Sequence, residues 1–216
     1  MRVIRKLLNW YARLAPARGK ISPPYEHVVQ IGDPTLRKVC EDVNEERIKS
    51  SEVQLVVKKL IYVLNKYGSV GMSAPQIGVN MKIFAIQHTA KQLSNVPLEI
   101  KKFKRLAVVP LTVCINPSMK ILDYQKEIHM EGCESIQGYS AEVPRYREVQ
   151  ITALNEHGEK VTSVFKGWPA RIVQHEMDHL GGKLFTDIME RKTLVCTCWE
   201  EVNLSKGKVA IPFYPD

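Results

Sequence analysis

The first 25 residues contain no carboxylate; the first is Glu26. No run approaches 18 consecutive apolar residues, which excludes a membrane-spanning helix on sequence grounds. Internal repeats and low-complexity segments are also missing. Cysteine is sparse: Cys40, Cys114, Cys133, Cys196 and Cys198 are odd in number and widely spaced. That pattern argues against a disulfide scaffold and for a reducing compartment. With 44% apolar and 25% charged residues, disorder throughout is excluded, and 216 residues suffice for a sizeable core.

The formal charge of +8 raises the question of a nucleic-acid partner. The missing acids answer it. Arg2, Arg5, Lys6, Arg13, Arg18 and Lys20 all fall in the acid-free segment. Removing these six from 31 basic residues leaves 25 against 23 acidic ones, an excess of two. The charge is therefore a property of one end, and no polyanionic partner is implied. Wound as a helix, that end places Val3, Leu7, Trp10 and Leu14 on one face with arginines flanking. An Arg-rich, acid-free amphipathic N-terminus predicts a mitochondrial transit peptide over residues 1–24. A basic surface helix or a disordered tail is the plainer alternative. Pro16, Pro23 and Pro24 mark the start of the folded part.

Residues 51–67 predict an amphipathic helix. Ser51 with Gln54 offers a capping box, Val53, Val56, Val57, Leu60, Ile61, Leu64 and Tyr67 follow at helical spacing, and Gly68 suits a left-handed end. Strands are predicted at 79–87, 106–115 and, more weakly, 119–129. A hairpin is predicted from 149–154 and 161–165 around Asn-Glu-His-Gly. Residues 91–105 read as a long polar loop. A second helix is expected from Pro169 to Gly181-Gly182. Helices and strands are thus segregated, which predicts an α+β fold with antiparallel sheets packed around one central helix.

That helix carries His175-Glu176-Met177-Asp178-His179. Histidines at i and i+4 share one face and can reach one metal ion. Glu176 stands beside the pair, placed to take a proton from a water without ligating. The motif is short enough to occur by chance on an exposed charged helix. A catalytic site also needs a third protein ligand. In the pattern HExxHxxGxxH the third histidine position is Phe185, which cannot ligate. A later glutamate, Glu200 or Glu201, would suit a zinc endopeptidase, although residues 194–199 look strand-like. An upstream cysteine is the remaining source.

Upstream stand Gly71-Met72-Ser73-Ala74-Pro75-Gln76 and Glu131-Gly132-Cys133-Glu134-Ser135. With the helix motif, in this order, the chain resembles the peptide deformylase family, whose motifs are GxGLAAxQ, EGCLS and HExxH. Gly32–Arg37, Val143-Pro144-Arg145 and Gln174–Leu180 extend the likeness over most of residues 25–200, and its animal mitochondrial branch is the nearest. The resemblance implies a catalytic domain over 25–205 and a C-terminal tail over 206–216.

It further implies that Cys133, His175 and His179 hold one divalent metal ion, Fe(II) in the cell, with Zn(II) or Co(II) accepted. The implied substrate is a peptide beginning with N-formylmethionine. Glu176 would take the proton of the attacking water and pass it to the departing amine. Gln76 and the Glu134 backbone N–H would stabilise the oxyanion. Val70 and Gly71 would pair with the peptide as an added strand. The implied partners are N-formyl-Met nascent peptides of newly made mitochondrial proteins, in the matrix, with transient mitochondrial ribosome proximity but no nucleic acid or membrane span. The tail lacks a long basic helix that would support ribosome docking. Glu131 and Arg145 are expected to form a buried ion pair bracing the Cys133 loop.

The chain departs from the pattern in several places. Ser69 replaces the first glycine of GxGLAAxQ, and Met72 and Ser73 mildly replace its Leu and Ala. The larger change is Glu134 in place of the leucine of EGCLS, and Gln137-Gly138-Tyr139-Ser140-Ala141 also differs. A carboxylate near the pocket should oppose oxyanion formation, so slower catalysis than with Leu is expected. A weakly active deformylase-like binding protein is one alternative, and the HExxH zinc endopeptidase the other. Elsewhere, Cys40 and Cys114 read as core thiols and Cys196 and Cys198 as structural; His27, His88, His129 and His157 lack ligand spacing.

Overall fold

The computed structural model describes residues 22–215. The helix expected of the N-terminal segment falls on residues 1–21, outside the described residues. Eleven helices and strands, besides short 3₁₀ turns, build the described part. They are α1 (Ser51–Tyr67), β1 (Gly71–Ser73), β2 (Ile83–His88), α2 (Ala90–Ser94), α3 (Leu98–Lys104) and β3 (Val109–Gly132), followed by β4 (Tyr139–Leu154), β5 (Lys160–Lys166), α4 (Trp168–Leu180), β6 (Val195–Cys196) and α5 (Trp199–Leu204). The strands lie in the order β1-β2-β3-β4-β5, each antiparallel to its neighbour, and β6 pairs with the start of β4. The α+β class with antiparallel pairing therefore holds, as one hydrogen-bonded path rather than separate sheets.

Helix α1 forms where the apolar spacing predicts it. Its cap lies one residue earlier than expected: Ser50 Oγ accepts the Val53 N–H at 3.4 Å. Gln54 instead ties the helix to the carbonyls of Ile48 and Glu156. Gly68 ends the helix at φ 63°, a conformation glycine adopts without a Cβ penalty.

Strand β2 explains how the layers sit. Its side chains alternate, and both sets are buried. Ile83 and Ala85 join Val53, Val56, Val57, Leu60 and Leu64 of α1. Phe84 and Ile86 join Ala170, Ile172, Val173 and Leu180 of α4. A strand covered on both faces is apolar throughout, which is why its alternation is weak in the sequence. Burying one such aliphatic side chain contributes about 1.5–3 kcal/mol.

Two expectations fail. Residues 91–105 form α2 and α3 instead of a loop. Thr89 and Gln92 cap α2 reciprocally, with the Gln92 N–H on Thr89 Oγ1 at 3.1 Å and the Thr89 N–H on Gln92 Oε1 at 2.8 Å. Helices of five and seven residues carry too few turns to show a stripe. Strands expected separately at 106–115 and 119–129 are one strand, β3. Its ladder with β4 shifts between Ile115 and Ser118, where Asn116 sits at φ 51° and Pro117 donates no hydrogen bond. Asn116 steadies that irregularity through both Val43 backbone groups, at 2.8 and 2.7 Å.

Candidate metal centre

Helix α4 places His175 and His179 one turn apart, facing the loop where β3 ends. Their Nε2 atoms lie 3.2 Å apart, and Cys133 Sγ stands 3.3 Å from His179 Nε2. Among the described residues these three form the group able to hold a metal ion, with ligating atoms within 4.8 Å of one another. Tetrahedral bonds of roughly 2.0–2.1 Å to nitrogen and 2.3 Å to sulfur put such donors about 3.3–3.6 Å apart, so the set fits an ion. Beside the group, Glu176 Oε2 is buried without a hydrogen-bond partner. A thiolate and two imidazoles suit Zn(II), Fe(II) or Co(II) better than Mg(II) or Ca(II).

His175 is oriented from behind. Its Nδ1–H donates to Glu131 Oε1 at 2.7 Å, leaving Nε2 free to face the centre. Glu131 is a hub. Arg145 Nη2 and Nε donate to it at 2.6 and 3.1 Å, and Arg171 Nη1 at 2.9 Å. Arg145 also holds Asp178 at 2.5 Å. Burial alone would raise the Glu131 pKa; His175 and Arg145 outweigh it and hold the carboxyl well below its usual range. The expected Glu131–Arg145 pair is therefore present and enlarged. Arg171 and Asp178 had not been foreseen. Their signal lay in the helix: residues 171, 175 and 178 repeat at i, i+4 and i+7 on one face.

Glu176 is almost fully buried, and desolvation pushes its carboxyl up to about 7. Gly71 makes room for it. A Cβ on Gly71 would lie 2.3 Å from Glu176 Oε1 and 2.9 Å from Ile172 Cγ2. This contact was not legible in the sequence, where Gly71 reads only as a peptide-pairing residue. Gly71→Ala is expected to keep the fold and lower kcat about 100-fold, because an ångström of misplacement at a reacting group costs that much. Steady-state kinetics beside a circular dichroism melt checks it.

Gln76 sits in a 3₁₀ turn, Ala74–Ile77, directly after β1. Its Oε1 accepts from the Ser73 N–H at 2.9 Å. That fixes the amide, so Nε2 points at Ser135 Oγ, at 3.3 Å, and at Cys133 Sγ, at 3.7 Å. Glu134 opens the 3₁₀ turn Glu134–Ile136, whose first N–H has no intrahelical partner.

Val70, Gly71, Gln76, Cys133, Glu134, His175 and Glu176 line one cavity of about 470 Å³, and His179 is buried next to Cys133 and His175. Strand β1 is an edge of the sheet. The Val70 carbonyl accepts from the Gln87 N–H of β2, so by antiparallel alternation the Gly71 N–H and C=O point away from β2. Of the two residues expected to pair with the peptide, Val70 has its carbonyl taken by Gln87, while both backbone groups of Gly71 point away from β2. Glu200 and Glu201 lie on α5, exposed and outside the Cys/His/His group. The segment expected as a strand is only two residues long before that helix begins. Cys40 and Cys114 are buried, and burial pushes their thiols up to about 11 and 12.

Fold and site together define an α+β protein with a Cys-His-His metal centre beside a buried glutamate. A family profile described as Polypeptide deformylase matches residues 25–194. The mitochondrial peptide deformylase of Homo sapiens is 40% identical over 185 residues, covering 86% of this chain and 76% of that protein. Peptide deformylase 1A, chloroplastic, of Solanum lycopersicum is 34% identical over 86% of this chain and 66% of its own length. Among solved structures, a class I type b peptide deformylase of Acinetobacter baumannii with bound Met-Ala-Ser aligns with a TM-score of 0.66. It is 25% identical and covers 80% of this chain and 100% of that one. The chain belongs to the peptide deformylase family and is a hydrolase of that family.

Proposed function

We propose that the protein removes the formyl group from peptides beginning with N-formylmethionine and releases formate. One observation carries this: three ligand atoms converge beside Glu176 in a cavity bordered by the open edge of β1. A divalent ion held by Cys133, His175 and His179 supplies Lewis-acid activation of water and of the formyl oxygen. The rest falls to the chain. Gly71 offers one N–H and one C=O to the peptide backbone, as in strand addition. Glu176 takes the proton of the attacking water and returns it to the departing amine. The Gln76 amide and the Glu134 N–H donate to the oxygen on which charge gathers, and losing one such donor costs about 10²–10³ in rate.

We assign the resident ion as Fe(II), with Zn(II) and Co(II) as working substitutes, and the helix bearing the two histidines as the centre of the fold. Residues 1–24 are read as an import segment, 25–205 as the catalytic domain and 206–216 as a tail. The matrix is then the site of action, in transient proximity to the mitochondrial ribosome, on newly made chains. The relative named mitochondrial supports that reading.

The decisive experiment compares two variants of the full chain. Cys133→Ala is expected to lose bound metal and formate release together; Glu201→Ala is expected to lose neither. An endopeptidase would give internal cleavage and the opposite dependence. Metal content by plasma mass spectrometry and formate by coupled assay read both.

A further inference from the structure

Two of the departures from the family pattern, Ser69 and Glu134, meet in space. Ser69 Oγ donates to Glu134 Oε1 at 3.0 Å, although 65 residues separate them. Both line the cavity. The Glu134 backbone is fixed as well, because its carbonyl accepts from Gln30 Nε2 at 2.8 Å.

The charges around the cavity are not equally matched. Glu131 is answered by Arg145, Arg171 and His175. Glu176 is buried deep inside. Among the described residues no lysine, arginine or histidine forms an ion pair with Glu134, which is half-buried. Ser69 ties one of its oxygens and so holds the carboxylate on the Ser69 side of the cavity. The second oxygen is left to a ligand.

The open edge brings that ligand to it. A peptide pairing with Gly71 continues along the segment that includes Ser69, two residues earlier and about 7 Å away. Residues following the methionine therefore pass the Ser69–Glu134 pair. Resting on the deformylase reading, we propose that Glu134, positioned by Ser69, selects formylated peptides with lysine or arginine just after the methionine. Partly exposed ion pairs favour a cationic partner modestly, and a like charge is disfavoured by a similar amount. The expected preference in kcat/KM is about threefold for Lys over Ala and about tenfold for Lys over Glu, and it shrinks with salt.

The test uses the metal-loaded full chain with formyl-Met-Lys-Ser, formyl-Met-Ala-Ser and formyl-Met-Glu-Ser, and the same set with the variable residue third. Formate release gives kcat/KM. Calorimetry gives Kd for the matching unformylated peptides, which needs no turnover. Support is a Lys-to-Glu ratio near ten at one of the two positions that falls below two in Glu134→Gln and by about half in Ser69→Ala. A wild-type ratio under two at both positions, or a ratio unchanged by Glu134→Gln, overturns the proposal. If no peptide yields formate, the deformylase reading fails, and the Kd ratios still decide the selectivity.

Discussion

Glu176→Gln is expected to bind metal as the parent does and to release formate about 10²–10⁴-fold more slowly. The isosteric amide keeps the shape that Gly71 and Ile172 enclose, so folding should be unaffected. It removes a buried carboxylate beside the ligand atoms that can take a proton without ligating. Glu131 cannot substitute, because two arginines and His175 occupy its oxygens. Metal content and single-turnover formate release, measured on one preparation, separate this loss from a loss of metal. Residual activity within tenfold of the parent would remove Glu176 from the proton path.

The second large effect is expected of Arg145→Leu. Removing one partner of a buried ion pair typically destabilises by 3–5 kcal/mol, since the remaining charge stays in a poorly solvating site. Arg171 still reaches Glu131, so the lower end applies, about 3 kcal/mol. For a chain of this size that is a fall of roughly 6–12 °C in Tm. The consequence reaches the centre through Glu131. With its hub loosened, His175 loses the bond that turns Nε2 inward, and metal affinity should fall about 10–100-fold. Melting with and without saturating metal reads both effects. Unchanged stability and metal affinity would reduce the Glu131–Arg145 pair to decoration.

The parts of this molecule that could be read in the sequence are those with a local code. The i and i+4 histidines, the apolar spacing of α1, the Asn-Glu-His-Gly turn and the three ordered motifs each need only a few neighbouring residues. Arg171 and Asp178 escape a sequence reading because their partners, Glu131 and Arg145, lie on other elements. The contact between Gly71 and Glu176 joins residues more than a hundred positions apart, and no spacing rule reaches that far. β3 was split because Asn116-Pro117 carries ordinary turn signals. Its role as a kink within one strand depends on the bond from Asn116 to Val43, which is also tertiary.

The shortness of β1 has a bearing on how many different chains the protein can serve. Of its three residues, Met72 is turned to β2 and the Ser73 N–H is taken by Gln76, so a visiting chain meets main-chain groups chiefly at Gly71. Two such bonds are blind to side-chain identity, and they are too few to hold a product long. A deformylase acting on formylated nascent peptides gains from so brief a grip.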